Sequence, residues 1–424
     1  MATWLYADLT ATAPVGEGES IAAPDSRPSI AVLPFANFSD DPEQEYFSDG
    51  ITEDLITALA QNPGLFVIAR NSSFLYKGQP VDVREVGREL GVRHVVEGSV
   101  RRASDRLRIS AQLIDVASGG HLWAARYDRD LADVLVLQDE VSQQIAKALQ
   151  VELGPGQTKQ IERQRTGNVA AFDLLLRAKA EKNKATKDAN AQARALLEQA
   201  IALDPAFSEA HAELSYVLFR DWFYAWAGDA KMLERARDAA ETAVALDPRS
   251  GLARARFAWI ALWGGDHRRA LAEVEQAVAL EPNSADVHAA RAAVLGYAGE
   301  LTSALDSAKQ ALRLDPHDYL ILLYSGIAQF AAGHLDDAVM SFAETASRNP
   351  DFLAAHFLLA ASYAQLGRLD EARAEAAIVQ RLSSGLGSRL DQLPFQDPLI
   401  KAQFLDGLRK AGLEAQAPVN TGTN

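Results

Sequence analysis

The sequence predicts a multidomain α+β chain in which a small α/β domain is followed by an all-α superhelix of repeated helix pairs. Two observations carry that reading. Pro248, Pro282, Pro316 and Pro350 stand 34 residues apart, and Gly265, Gly299, Gly333 and Gly367 keep the same interval; a period of that length marks a helical-repeat array. Ahead of the array, over residues 29 to about 155, the pattern changes to short apolar runs and apolar–polar alternation broken by turn residues, the grammar of strands.

Taken in order, residues 1–28 are rich in Ala, Gly, Pro, Ser and Glu without an apolar period, and a flexible leader is expected. SIAVLPF (29–35) is almost wholly apolar, as a strand buried on both faces requires. Ser48 and Asp49 are placed to cap a helix that carries Ile51, Leu55, Ile56 and Leu59 along one face. Gly64 ends it, LFVIAR reads as a second strand, and VDVREVGREL as an amphipathic helix stopped by Gly91. From Val92 to Arg129 apolar and polar residues alternate, with turn signals at ASDR and ASGG, so three strands joined by two hairpins are expected. VLVLQDEVSQQIAKALQVEL closes the domain as a helix, and residues 156–170 are expected to be a linker.

The array is expected over residues 171–384 as about five units. Around the prolines the text repeats as IALDPAFS, AVALDPRS, AVALEPNS and ALRLDPHD. Proline lacks the amide that a continuing helix needs and pushes the preceding residue out of the α region, so each motif closes one helix and seats the next. The glycine midway permits a tight turn between antiparallel helices. Small residues stand where helices must approach: Ala258, Ala292, Gly326 and Ala360 on the first helices, Ala270, Ala304, Ala338 and Ala372 on the second. In this frame the repeats resemble the tetratricopeptide (TPR) family. The frame lapses once, since Pro205 and Pro248 are 43 residues apart, and the added length includes FRDWFYAWAGD. Residues 385–424 are expected to hold a linker, a capping helix in PLIKAQFLDGLRKAGL and a disordered tail, because a solenoid must cover its last apolar face.

The stretch SIAVLPFANFSDDPEQEYFSDGITEDLITAL, with FVIARNSSFLYKG, VGRELGVRHVVEGSVRR, LRISAQLIDVASGGHLWAARYDR and the tail FLDGLRKAGL, closely resembles the TolB amino-terminal-like domain of bacterial signalling proteins. In that family the domain precedes TPR repeats and often follows a class III adenylate or guanylate cyclase domain or a winged-helix, CadC-type transcription activator. The resemblance covers roughly residues 29–411 and implies a non-catalytic protein–protein interaction scaffold or sensory module. An alternative is a regulatory part or remnant of such a cyclase or regulator, sensing a small ligand. With 28 residues ahead of Ser29, the catalytic or DNA-binding part is not expected here.

Composition narrows the function classes. A formal charge of -15 disfavours nucleic acid and anionic membrane, which reward a basic surface, and leaves a protein or peptide as the expected partner. No apolar run approaches the 18 or more residues that a membrane span takes, and the amino terminus lacks a basic flank with an apolar run, so a cytoplasmic location is expected. Without cysteine there is no disulfide, thiolate catalysis or cysteine-ligated zinc. GxxxxGK[ST], GxSxG, HExxH and a GxGxxG after a strand are all missing, so neither catalysis nor a cofactor is expected.

Candidate contact residues follow from the frame. The first helices would line a concave groove with Trp259, Leu262, Trp263, Tyr297, Leu323, Ile327, Phe330 and Phe357, suited to an amphipathic helix or extended apolar peptide. Two occupants are open: a partner, or this chain's own α/β domain or carboxy-terminal helix. Trp222, Phe223, Tyr224 and Trp226 in the lengthened repeat read either as a contact site or as packing against a neighbouring domain. Arg101 and Arg102 are the first candidates for an anion contact, against a solvated face balancing acids elsewhere. His211, His288 and His356 hold one repeat position, too far apart along a solenoid to share a metal ion.

Overall fold

The computed structural model describes residues 27–149, 166–226, 231–382 and 392–413. It is mostly helical, with a small mixed sheet at its amino-terminal end. Strand β1 (Ser29–Val32) is buried throughout and pairs in parallel with β3 (Phe66–Val67) and β4 (His94–Ala103). Strands β5 (Arg106–Asp115) and β6 (His121–Asp130) continue the sheet antiparallel, giving the order β3-β1-β4-β5-β6, while β2 (Ala36–Asn37) extends the β1 side of β4. Helix α1 (Glu45–Ala60) connects β2 to β3; α2 (Arg70–Ser73) and α3 (Val83–Leu90) connect β3 to β4; α4 (Val134–Ala148) follows β6. Parallel neighbours need such crossovers, and the two hairpins need only tight turns.

Two local expectations are corrected. Helix α1 starts before Ser48 and Asp49, after a 3-10 turn over Pro42–Gln44 whose cap, Asp41, accepts from the Glu43 amide at 2.9 Å. A cap residue followed directly by proline is a stronger start than a serine inside an apolar stripe. Ser48 is instead buried, and Asp49 accepts from Lys77 at 2.7 Å. Of LFVIAR only Phe66 and Val67 pair as a strand, because Arg70 already begins α2.

The array consists of helix pairs α5/α6 (Val169–Asn183, Lys187–Leu203), α7/α8 (Ser208–Phe223, Met232–Leu246), α9/α10 (Gly251–Trp263, His267–Leu280), α11/α12 (Ala285–Ala298, Leu301–Leu314), α13/α14 (Tyr319–Ala331, Leu335–Arg348) and α15/α16 (Leu353–Gln365, Leu369–Leu382). That is six pairs among the described residues. Closing prolines mark only five, since no proline follows α16 where the others have one. Gly265, Gly299, Gly333 and Gly367 all turn with φ between 77° and 86°, the left-handed region where a side chain is strained. The small residues of the frame are sealed between helices, and a Cβ at Gly326 would meet the Phe342 ring at 2.4 Å.

The histidines have a structural explanation. Nε2 of His211, His288 and His356 lies 3.1, 2.8 and 2.8 Å from the carbonyl of Pro205, Pro282 and Pro350, six residues back. Arg254 donates to Pro248 in the same way at 2.9 Å. A donor at this position satisfies the carbonyl that each proline turn leaves over.

The α/β domain is clasped by the array at two places. One face of its sheet shares a core with α1, α4 and the first repeats, where Phe47, Ile51 and Leu137 meet Phe172, Leu175 and Leu197. The other face, with α3, reaches Ala285 and Ala289 of α11, Leu314 of α12 and Ile321 of α13. There the Ala69 amide donates to the Leu314 carbonyl at 2.8 Å.

Candidate functional site

The eight groove residues are brought together as the repeat frame requires, and all but the half-buried Trp259 are buried. Two stretches of the same chain lie in the groove, and the second includes the carboxy-terminal helix that the sequence left open as one of its two occupants. The end of α7 contributes Phe219, Trp222 and Phe223, whose rings stand 5.7, 5.9 and 5.1 Å from Trp263. The second stretch is residues 392–413, with helix α17 (Pro398–Lys410). Its Phe395 ring lies 4.9 Å from Tyr297, and Phe404 lies 5.4 Å from Phe330 and 6.1 Å from Phe357. Burying a phenylalanine in such a site contributes about 1.5–3 kcal/mol.

Polar contacts fix the register of this strap. The Gln396 amide donates to the Tyr297 carbonyl at 2.9 Å, and Gln365 Nε2 donates to the Gln403 carbonyl at 2.6 Å. Gly407 permits the close approach, because a Cβ there would fall 2.6 Å from the Ala361 carbonyl oxygen. Asp397 caps α17 through the Leu399 amide at 2.8 Å, with proline at the first helical position. The aromatic insertion is likewise internal in part: Tyr224 and Trp226 stack on each other at 4.6 Å, and Tyr224 is half-buried.

Arg101 and Arg102 do not form a joint anion site. Arg101 pairs with Asp40 at 3.3 Å on the surface, whereas Arg102 is held by Asp173 of α5 at 2.6 Å and lies over the Phe47 ring. The second pair fastens the sheet to the first repeat.

A charged cavity of about 220 Å³ lies between the α/β domain and the amino-terminal ends of α7, α9 and α11. Lys179 of α5 is buried beside it, 2.5 Å from Glu209, 3.4 Å from Glu53 and 3.5 Å from Asp54. Burial alone would lower the Lys179 pKa, but Glu209, Glu53 and Asp54 hold it well above its ordinary value. Burial pushes Glu213 up, and Lys182, Arg256 and Lys179 outweigh that and bring it down to about 2. Glu53 is lowered in the same way, by Lys179, Arg70 and Lys182 against its burial. The ammonium of Lys182 stands 2.7 Å from Glu213, and Arg70 stands 2.8 Å from Glu53. This junction was not singled out from the sequence, yet a signal exists: Phe172, Leu175, Leu176 and Lys179 fall on one helical stripe, and a lysine on an apolar stripe needs buried partners. Among the described residues no group of three His, Asp or Glu is placed to hold a metal ion, and no helix is long and apolar enough to cross a membrane.

Family profiles described as tetratricopeptide repeat match residues 229–294, 289–344 and 325–385. Those helix pairs are TPR repeats. A curated relative, "Putative adenylate cyclase 3" of Rhizobium meliloti (strain 1021), is 51% identical over 203 residues, which make up 48% of this chain and 35% of that protein. The chain therefore matches about a third of the relative's length. Among solved structures, a human IFIT1 dimer with m7Gppp-AAAA is similar at a TM-score of 0.46, with 18% identity over 65% of this chain and 64% of that one. A thermophilic TPR protein of Thermus thermophilus is similar at a TM-score of 0.37, with 23% identity over 46% of this chain and 98% of that one.

Proposed function

We propose that this chain is a non-catalytic scaffold and sensory module of bacterial signalling, the TolB-amino-terminal-like and TPR portion of an adenylate-cyclase-associated system. The observation that carries it is the 51% identity, over nearly half of this chain, to a relative named as an adenylate cyclase, in a chain whose residues 229–385 match TPR profiles. TPR repeats generally bind proteins or peptides, and the groove around Trp263, Tyr297, Phe330 and Phe357 is the surface we assign to a protein partner. That partner must displace residues 392–413, which hold the groove in cis, so engagement and release of the strap are one event.

A chimera tests this reading. The segment of the rhizobial relative that matches this chain is replaced by the corresponding segment of this chain, and cyclic AMP production is measured beside the unaltered relative. Retained and regulated production supports a shared regulatory part. A stably expressed chimera without production, beside an active parent, contradicts it, as does cyclic nucleotide formed by the purified chain alone.

A further inference from the structure

We propose that the cavity between the α/β domain and the repeats binds a small zwitterion, a free amino acid or a dipeptide, with its carboxylate on Arg256 and its ammonium group toward Asp286. The inference stands whether or not the chain serves a cyclase. A volume of about 220 Å³ has room for about seven waters at ~30 Å³ each, the size of a small metabolite. The cavity is walled by two folding units, a position that ligand sites favour.

Charge selects the ligand class. Four cationic and eight acidic side chains line the cavity, an excess that repels nucleotides and inorganic phosphate. The cations are unequally matched. Lys179 has three carboxylates within 3.5 Å, Arg70 has Glu53 at 2.8 Å, and Lys182 has Glu213 at 2.7 Å. Arg256 differs in distance: its nearest paired carboxylate, Glu213, is 3.7 Å away, while its Nε, like that of Arg70, meets no hydrogen-bond acceptor. Its guanidinium lies 4.2 Å from the centre of the Tyr216 ring, so its face is stacked while its bonding edge is under-used. A fixed, stacked guanidinium is suited to a carboxylate, which it binds with two parallel hydrogen bonds.

Asp286, in the first turn of α11, is exposed, lines the same cavity and acts on Arg256 through its field rather than through a hydrogen bond. It offers an acceptor for an ammonium group. A simple diamine would bring like charge beside Arg256 and leave that cation unmatched, whereas a dianion would face the carboxylate excess. A zwitterion meets both demands, and Phe172 and Leu252 supply apolar wall for its side chain.

The test is thermal shift and titration calorimetry on the full chain with the proteinogenic amino acids, alanyl-alanine, putrescine and inorganic phosphate. A ligand that binds only the native state raises the unfolding midpoint saturably. The expected result is stabilisation by at least one amino acid or the dipeptide, weakened about tenfold or more by Arg256→Met. Asp286→Asn, at an exposed position, should weaken the same ligand in a protein that still folds, read as a smaller ligand-induced shift measured from the variant's own unliganded midpoint. If Arg256→Met does not fold, the Asp286→Asn titration decides. Stabilisation by putrescine alone or phosphate alone, no response to any probe at millimolar concentration, or unchanged affinity in Asp286→Asn overturns the proposal.

Discussion

Replacing Lys179 by methionine tests the junction between the two domains. The ammonium is buried among Glu209, Glu53 and Asp54 at 2.5–3.5 Å, while methionine keeps much of the stem and removes the charge. Removing one partner of a buried pair costs about 3–5 kcal/mol, because the charges left behind stay buried without compensation. The pH dependence follows from Glu53, whose pKa is held down in the wild type although burial pushes it up. In the wild type its contribution is present above the unfolded carboxylate pKa and is lost as pH falls through the folded value. In the variant Lys179, the largest of the three lowering charges, is gone and only Arg70 and Lys182 oppose the burial of Glu53, so its pKa moves up and less of that contribution remains. Urea unfolding with linear extrapolation at pH 7 should therefore show the full deficit, and the deficit should shrink as pH falls below the unfolded carboxylate pKa, where the wild type loses the Glu53 contribution. A deficit under about 1 kcal/mol at pH 7, the value of an exposed pair, or one independent of pH, would refute the reasoning.

Three further outcomes are expected. Burial and the neighbouring Asp318 raise Asp315 to about 7, and burial raises Asp318 to about 6, while both clasp the α/β domain through Ser72 and Asn71. A raised carboxylate stabilises the fold at low pH and loses that contribution as pH rises through the folded value. Asp315→Asn should thus gain on the wild type by roughly 2 kcal/mol between pH 5 and pH 8 in urea unfolding, and a constant difference would count against the buried clasp. Gly407→Ala forces a Cβ against the Ala361 carbonyl and should cost about 1–3 kcal/mol, seen as faster tryptic cleavage at Lys401 and Arg409; unchanged cleavage would deny the close approach. Asp397→Ala removes the α17 cap and should cost about 1 kcal/mol of local stability, read as faster amide exchange in α17 alone.

The array was legible because each repeat solves the same local problem. Gly265 and its equivalents turn at positive φ, Pro248 and its equivalents stop a helix, and alanines mark close approaches, all at one spacing. The proline-carbonyl role of His211, His288 and His356 was not readable, since period shows that a position recurs and not what it bonds. Closure of the groove was less legible still. Phe395 and Phe404 lie outside the 34-residue frame, and their meeting with Tyr297, Phe330 and Phe357 depends on how far the superhelix curves. The α/β domain divides similarly: the long hairpins of β4, β5 and β6 announce themselves by alternation and β3 by the apolar run LFVIAR, though only two of its residues pair, whereas β2, with two paired residues, is too short to carry a pattern. Lys179 was readable only as an anomaly, because Glu53 and Asp54 are more than 120 residues away in sequence.

The central claim is that the repeat groove is closed by the chain's own residues 392–413. Hydrogen-exchange mass spectrometry of the wild type beside Phe404→Asp tests it most directly. Placing a carboxylate among Phe330, Phe357 and Phe395 removes the strap's main anchor and adds an unpaired buried charge. The account predicts strong protection of α17 in the wild type and, in the variant, rapid exchange over 398–410 with lesser deprotection of α13 and α15. Exchange of 398–410 at unfolded-chain rates in the wild type, or identical protection in both proteins, would contradict it.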